Sequence, residues 1–147
     1  MNEIKDGLPV EILMVEDNPG DVRLTLEMFK SNKIVNHVHV AQDGLQAMAF
    51  LNHEQEFKDA PRPDLVILDL NLPGKDGREV LADIKRNDDL KEIPVIVLTT
   101  SSSENDIFQT YGLQADSYLT KPIDPDQFLE IIKSIPRFWI TIIKRIP

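Results

Sequence analysis

Short apolar runs alternate with amphipathic segments along most of the chain. The runs are bounded by polar residues and lie, in chain order, at residues 10–15, 37–41, 64–68, 93–98 and 117–119. Runs of this length between polar residues are typical of buried strands. The segments between them repeat apolar residues at helical spacing, as Val22, Leu26 and Phe29 do on one face of the first. The pattern therefore predicts five strands that alternate with five helices.

Capping residues indicate where the helices begin. Asn18 precedes Pro19, which suits the first helical position, and Asp43 precedes the second helix. The third helix is predicted at residues 79–86. The fourth is predicted within residues 101–112, where Ser101 to Glu104 fit a capping box, and the fifth begins at Asp124-Pro125. Residues 53–63 are polar, contain two prolines and are expected to form an exposed loop.

Fully apolar strands separated by helices are typical of a parallel sheet that helices cover on both faces. We therefore predict an α/β fold with a five-stranded parallel sheet, formed by residues 1–135. Residues 136–147 form an apolar C-terminal extension, in which Phe138, Trp139 and Ile142 recur at helical spacing. This stripe either packs against its own domain or forms the contact of a homodimer.

The charge and the cysteine content exclude several classes of function. The chain carries 25 acidic and 16 basic residues, which gives a formal net charge of -9. This charge disfavours binding to nucleic acid or to an anionic membrane surface. The chain has no cysteine, so it has no disulfide, thiolate metal site or cysteine nucleophile. Neither a secretory signal nor a membrane-spanning run is evident, and we expect a soluble cytoplasmic protein.

Polar residues follow four of the predicted strands. The first strand leads to Glu16-Asp17 and the third to Asp69, whereas the fourth ends at Thr99 and the fifth leads to Lys121. In an open parallel sheet, ligands bind beyond the carboxyl ends of the strands, where these side chains converge. Clustered carboxylates need a neutralising cation, and oxygen ligands of this kind suit Mg²⁺. Asn71, two residues after Asp69, can turn its backbone carbonyl toward the same metal ion.

Each of these residues has an ordinary interpretation when it is considered alone. A single acid at a strand end is usually a helix cap or a solvated loop residue, and Lys121 alone could be a surface lysine. Those interpretations do not account for the arrival of all of them at one edge of the sheet. The three histidines do not join this group. His37 and His39 share one face of the second strand, but no third metal ligand is evident in the sequence.

The set Glu16-Asp17, Asp69, Thr99, Tyr118 and Lys121-Pro122 resembles the signature of the receiver domain of two-component response regulators. The resemblance covers residues 10–135 and implies the flavodoxin-like (βα)5 receiver fold. It implies that Asp69 accepts a phosphoryl group from a sensor histidine kinase, after which a change of conformation transmits the signal. Such a protein is a phosphoacceptor and not a classified enzyme, although receivers catalyse their own phosphorylation and dephosphorylation.

The resemblance also implies a role for each residue of the set. Glu16 and Asp17 match the acidic pair that holds magnesium, and Asn71 matches the residue that binds the ion through its main-chain carbonyl. Thr99 matches the hydroxyl that turns toward the phosphoryl group, and Tyr118 matches the aromatic residue that is buried as a result. Lys121 matches the lysine that pairs with the phosphoryl oxygens, and the Lys121-Pro122 peptide bond is expected to be cis.

A closer resemblance concerns residues 43–51, residues 76–81, Pro61-Arg62-Pro63 and Phe138-Trp139. These segments resemble the single-domain response regulators that are paired with bacterial phytochromes. The resemblance implies a phytochrome-type kinase as phosphodonor, and either a downstream protein target or a phosphotransfer protein as the next partner. Two residues depart from the usual pattern: Glu16 replaces an aspartate, and Thr100 is bulkier than the usual alanine or glycine. We expect Thr100 to hinder attacking water and to prolong the life of phosphorylated Asp69.

Three other functions remain open at this point. A receiver can act as an unphosphorylated scaffold, which the sequence does not exclude. An aspartyl-nucleophile phosphohydrolase also uses an aspartate and magnesium, but it needs an acid where this chain has Asn71. A flavodoxin-like nucleotide binder needs a phosphate-binding loop after the first strand, where Glu16-Asp17 would repel phosphate.

Overall fold

The structure is a computed structural model that describes residues 10–31, 36–100, 115 and 117–135. The predicted helix at residues 101–112 and the C-terminal extension at residues 136–147 lie outside the described residues. Within the described part, no helix is long and apolar enough to cross a bilayer.

Five parallel strands form one sheet, as the sequence predicts. The strands are β1 (Val10–Val15), β2 (Asn36–Ala41), β3 (Leu65–Asp69), β4 (Val95–Thr99) and β5 (Ser117–Thr120). Their spatial order is β2-β1-β3-β4-β5, and each neighbouring pair is parallel. The chain moves from β1 to β2 on one side and then crosses to β3 on the other. The carboxyl ends of β1 and β3 therefore flank the point at which ligands bind in such sheets.

The described α-helices cover both faces of this sheet. They are α1 (Pro19–Ser31), α2 (Gly44–Leu51), α3 (Gly77–Arg86) and α4 (Pro125–Lys133), the last of which is the final helix of the sequence pattern. Successive strand residues point to opposite faces. Accordingly, Ile12 and Met14 pack with residues of α1 and α4, whereas Leu13 and Val15 pack with residues of α2 and α3. The predicted α/β architecture is confirmed.

Helix boundaries follow their caps. Asn18 Oδ1 accepts hydrogen bonds from the backbone N–H groups of Gly20 and Asp21, and Asp43 accepts one from Gln46 at the start of α2. The third helix begins at Gly77, two residues earlier than predicted, because Asp76 caps it by accepting a hydrogen bond from the Arg78 N–H group.

Two segments pack in ways that the sequence pattern does not specify. Leu26 does not face the core: 42% of it is exposed, and the buried residues of α1 are Thr25, Met28 and Phe29. Residues 53–63 are largely exposed, as predicted, and Gln55–Phe57 form a 3-10 helix within this segment. The ring of Phe57 lies 5.5 Å from that of Phe50, so this segment extends the core on the side of α2.

Candidate functional site

The carboxyl ends of four strands deliver the predicted site residues to one place. Glu16 directly follows β1, Asp69 is the last residue of β3, Thr99 is the last residue of β4, and Lys121 directly follows β5. Glu16, Asp69 and Thr99 are buried although they are polar. A buried polar group destabilises the fold unless it forms a hydrogen bond or an ion pair, so each of these side chains needs a partner within the site.

Glu16, Asp17 and Asp69 form a set of metal ligands. Each offers a carboxylate oxygen, and these oxygens all lie within 4.8 Å of one another. The Oε1 atom of Glu16 is buried, and the Lys121 ammonium lies 2.9 Å from it. A set of hard oxygen ligands fits a divalent cation such as magnesium or manganese.

Asn71 is held beside Asp69 by two hydrogen bonds. Its backbone N–H group donates to Asp69 Oδ1 at 3.0 Å, and its side-chain amide donates to the Thr100 hydroxyl at 3.1 Å. The first hydrogen bond orients the Asp69 carboxylate, and the second directs the Asn71 side-chain amide toward Thr100.

Lys121 is the positive charge of the site. Its Nζ atom lies 2.8 Å from Asp21 Oδ2, 2.9 Å from Glu16 Oε1 and 3.2 Å from Asp69 Oδ2. Burial acts to lower the pKa of Lys121, but hydrogen bonds to Asp21 and Glu16 and the nearby negative charges outweigh it and raise the pKa. The ammonium group therefore stays charged at neutral pH.

Asp21 is a member of the site that the sequence analysis missed. It lies in the first turn of α1, where an acidic residue has an ordinary explanation in the helix dipole. The sequence offered one indication that Asp21 belongs to the site. Asp21 lies four residues after Asp17, in a helix that begins at the carboxyl edge of the sheet. The contact with Lys121 depends on β5, which is distant in sequence.

The environment of Glu16 opposes its ionisation. Burial raises its pKa from 4.5 to about 7, together with a hydrogen bond that the protonated Glu16 carboxyl donates to Asp69 and charge repulsion by Asp69, and Lys121 only partly offsets these effects. Three carboxylates around one ammonium leave an excess of negative charge at the site. A divalent cation would remove that excess, in agreement with the ligand set.

Close backbone contacts hold the segment after Asp69 in place. The Gly77 N–H group donates to the Leu70 carbonyl, and a Cβ atom on Gly77 would lie 2.5 Å from the Asp69 carbonyl oxygen. A side chain at position 77 is thus incompatible with the present backbone. The start of α3 can approach the end of β3 only because residue 77 is glycine.

The remaining predicted residues lie on β4 and β5. The Lys121 N–H group donates to the Thr99 carbonyl at 2.8 Å, which joins the ends of the two strands. Tyr118 is half-buried and packs against the part of the core that lies under α2 and α3. The Lys121-Pro122 peptide bond is cis, as the resemblance implies.

Comparisons with known proteins agree with this geometry. A family model described as the response regulator receiver domain matches residues 12–133. The response regulator Rcp1 of Synechocystis sp. is 48% identical over 132 residues, which cover 90% of each chain.

Two solved structures are also similar. The phosphorylated cyanobacterial phytochrome response regulator RcpA is 47% identical, with a TM-score of 0.76 over 91% of this chain and 96% of its own. The Mn²⁺-bound form of Rcp1 is 49% identical, with a TM-score of 0.75 over 89% of this chain and 94% of its own. The resemblance to phytochrome response regulators is thereby confirmed, and the chain belongs to the response regulator receiver family.

Proposed function

We propose that Asp69 accepts the phosphoryl group by which this response regulator receives its signal. The observation that carries the proposal is the position of the Asp69 side chain. It is 4% exposed, contributes to the ligand set of Glu16 and Asp17, and lies 3.2 Å from the ammonium group of Lys121. No other aspartate among the described residues combines these three features.

The site is suited to phosphoryl transfer because it provides orientation and charge. The Asn71 N–H group binds Asp69 Oδ1 and Lys121 binds Oδ2, so the attacking carboxylate is oriented before a phosphodonor arrives. An Asp69 oxygen forms a bond to phosphorus while the bond from phosphorus to the donor's leaving atom breaks. Lys121 then pairs with the oxygens of the transferred group.

Magnesium is the proposed metal ion, held by Glu16, Asp17, Asp69 and the main-chain carbonyl of Asn71. An ion at this position supplies positive charge to the phosphoryl oxygens during transfer. All four ligands are oxygen atoms, which favours magnesium over ions that prefer nitrogen or sulfur. The Mn²⁺-bound form of the similar protein Rcp1 supports the binding of a divalent ion.

Thr99 and Tyr118 are the proposed switch residues. Phosphorylation adds negative charge beside the end of β4, and this charge attracts the Thr99 hydroxyl. Displacement of Thr99 opens space toward which the half-buried Tyr118 ring moves. The change in packing would alter the surface that a partner recognises.

The proposed phosphodonor is a sensor histidine kinase of the phytochrome type, by analogy with RcpA. An open groove of about 360 Å³ runs from Glu16 and Asp17 along α1 to Val40 on the edge strand, and Val22 and Leu26 line it. Its apolar lining beside the acidic site would suit a partner that brings a phosphohistidine to Asp69.

The signal then passes to a downstream protein or to a phosphotransfer protein, in the cytoplasm. The C-terminal extension is the proposed contact of a homodimer.

The mass of the intact protein after incubation with Mg²⁺ and acetyl phosphate tests the acceptor residue. Wild type should gain one phosphoryl group, and EDTA should prevent this gain. Asp69→Asn should gain none, whereas Asp59→Asn, which changes an exposed aspartate, should behave as wild type. Equal incorporation by wild type and Asp69→Asn would exclude Asp69. Absence of incorporation in wild type, even with a phytochrome kinase as donor, would favour the scaffold function.

A further inference from the structure

A second cluster of ligand atoms lies far from the phosphoacceptor site. The carboxylate of Glu11 on β1 lies between two imidazoles of the neighbouring strand β2. Its Oε1 atom is 2.8 Å from His39 Nε2, and its Oε2 atom is 3.2 Å from His37 Nδ1. Glu11 is near the amino end of β1, five residues before Glu16, so roughly 16 Å of strand separates the two sites.

The pairing of β1 with β2 creates this cluster. Glu11 is paired with His37, and Leu13 is paired with His39, in the parallel register of the two strands. Residues that are two positions apart in a strand point to the same face. Both histidines therefore point to the face on which Glu11 lies. The sequence places the two histidines on one face of a strand, but the third ligand comes from the neighbouring strand. Only the register between β1 and β2 identifies it as Glu11.

The surrounding contacts hold two of the three residues in place. The Glu11 N–H group donates to Asp64 Oδ2 at 2.8 Å, and the Asp64 N–H group donates to the Glu11 carbonyl at 2.7 Å. The His39 ring packs against the buried Phe50, with 5.2 Å between the ring centroids. The third residue, His37, is 60% exposed and can adjust to a ligand.

We propose that Glu11, His37 and His39 bind a borderline first-row divalent cation such as Zn²⁺, with water completing the coordination. Two neutral imidazoles and one carboxylate are ligands that zinc accepts, whereas magnesium prefers oxygen ligands alone. The chemistry of the ligands thus separates this site from the acidic site around Asp69.

Binding requires a modest rearrangement of side chains. The two imidazoles face different oxygens of the Glu11 carboxylate, so one of them must turn for all three ligands to share one ion. The His37 side chain is 60% exposed, which leaves room for it to rotate toward His39 and the carboxylate. Because the ligands come from both strands, a bound ion would cross-link the edge strand β2 to β1 and stabilise the fold.

The ordinary alternative is a simple ion pair between Glu11 and protonated histidines. That pair would also explain the short distances, but it predicts no affinity for zinc. Titration of the metal-stripped full-length chain with Zn²⁺, followed by calorimetry in excess Mg²⁺, separates the two explanations. We expect one equivalent of zinc to bind, and we expect affinity to fall at least about tenfold in His37→Ala and Glu11→Gln.

His53→Ala is the matched control, since it removes the exposed third histidine from a different part of the surface. It should bind zinc as wild type does, and so should Asp17→Asn, which alters only the acidic site. His37 is largely exposed, so the His37→Ala variant should fold normally, and circular dichroism would verify this. Equal zinc affinity in wild type and His37→Ala, loss of binding in Asp17→Asn, or absence of zinc binding in wild type would each overturn the proposal.

Discussion

The Nζ atom of Lys121 lies closer to Oδ2 of Asp21, at 2.8 Å, than to Oδ2 of Asp69, at 3.2 Å. In the unphosphorylated protein, therefore, the lysine that should neutralise the phosphoryl group is paired with a carboxylate outside the proposed metal ligands. Phosphorylation would have to draw the ammonium group away from Asp21. Asp21 would thus compete with the proposed phosphoryl group for Lys121.

Asp21→Asn should consequently strengthen binding of a phosphoryl mimic. Beryllofluoride with Mg²⁺ mimics a phosphoryl group on a carboxylate, and fluorine NMR can follow the titration. A partly exposed ion pair contributes up to about 1 kcal/mol, so we expect roughly fivefold tighter binding. Glu27→Gln is the control, because it makes the same change of charge at an exposed position on α1. Weaker binding by Asp21→Asn than by the control would show that Asp21 positions Lys121 and does not compete for it.

Stability of the metal-free protein should depend on the ionisation of Glu16. The folded state raises its pKa from 4.5 to about 7, so between these values the folded protein retains a proton that the unfolded chain has lost. The stabilisation is complete below pH 4.5 and is lost as the pH rises through about 7, with a slope of at most about 1.4 kcal/mol per pH unit.

Urea unfolding in EDTA over this pH range would measure the effect. Glu16→Gln should have a flatter pH dependence than wild type, whereas Glu27→Gln should match wild type. Saturating Mg²⁺ should reduce the pH dependence of wild type, because the cation favours the ionised carboxylate. An identical slope in wild type and Glu16→Gln would mean that Glu16 ionises in the folded protein as it does in the unfolded chain.

The sequence predicted the strands and the residues at their ends well, because both depend on local patterns. The buried runs that precede Asp69 and Thr99 contain only apolar residues, and a parallel sheet brings their carboxyl ends to one edge. The contacts of Asp21 with Lys121, and of Glu11 with His37, could not be predicted in this way. They depend on which strands are neighbours and on their register, and neither is a property of one segment.

The packing of α1 shows a second limit of the sequence pattern. Leu26 shares a helical stripe with Val22 and Phe29, which by itself would favour a buried position. The helix is rotated so that Thr25 is buried instead, and its hydroxyl donates a hydrogen bond to the Asp21 carbonyl within the helix. A polar side chain can occupy a core position when its hydroxyl forms a hydrogen bond within the helix. The spacing of apolar residues alone does not predict such a position.

Gly77→Ala should damage both the stability and the acceptor site. The new Cβ atom would lie 2.5 Å from the Asp69 carbonyl oxygen and 2.7 Å from Leu70 Cα, and backbone atoms can move away only if the end of β3 shifts. We expect the free energy of unfolding to fall by about 1–3 kcal/mol and phosphoryl incorporation to slow.

Gly20→Ala provides the matched control for this experiment. Its Cβ atom would meet only the Asn18 side chain, at 3.2 Å, and alanine has the higher helix propensity. Its stability should therefore remain within about 1 kcal/mol of wild type, and its rate of incorporation should not change. Denaturation and the acetyl phosphate assay would measure the two properties. Wild-type stability in Gly77→Ala would show that the backbone after Asp69 adapts more easily than its contacts indicate.

Thr100→Ala should shorten the life of phosphorylated Asp69. Thr100 is exposed beside the site, and its hydroxyl accepts a hydrogen bond from the Asn71 amide at 3.1 Å. Removal of the side chain opens a path for attacking water and frees the Asn71 amide. We expect hydrolysis to accelerate roughly three- to tenfold, which corresponds to a barrier lower by about 0.7–1.4 kcal/mol. The decay of the phosphorylated mass after removal of acetyl phosphate would give the rate.

Thr100→Ser separates the two contributions of the threonine side chain. Serine retains the hydroxyl that accepts from Asn71 but lacks the methyl group that hinders water. If bulk is the main barrier, the rate of Thr100→Ser should lie between those of wild type and Thr100→Ala. If the hydrogen bond is the main barrier, Thr100→Ser should hydrolyse at the wild-type rate. Slower hydrolysis in Thr100→Ala than in wild type would contradict both explanations and would mean that Thr100 assists the attacking water.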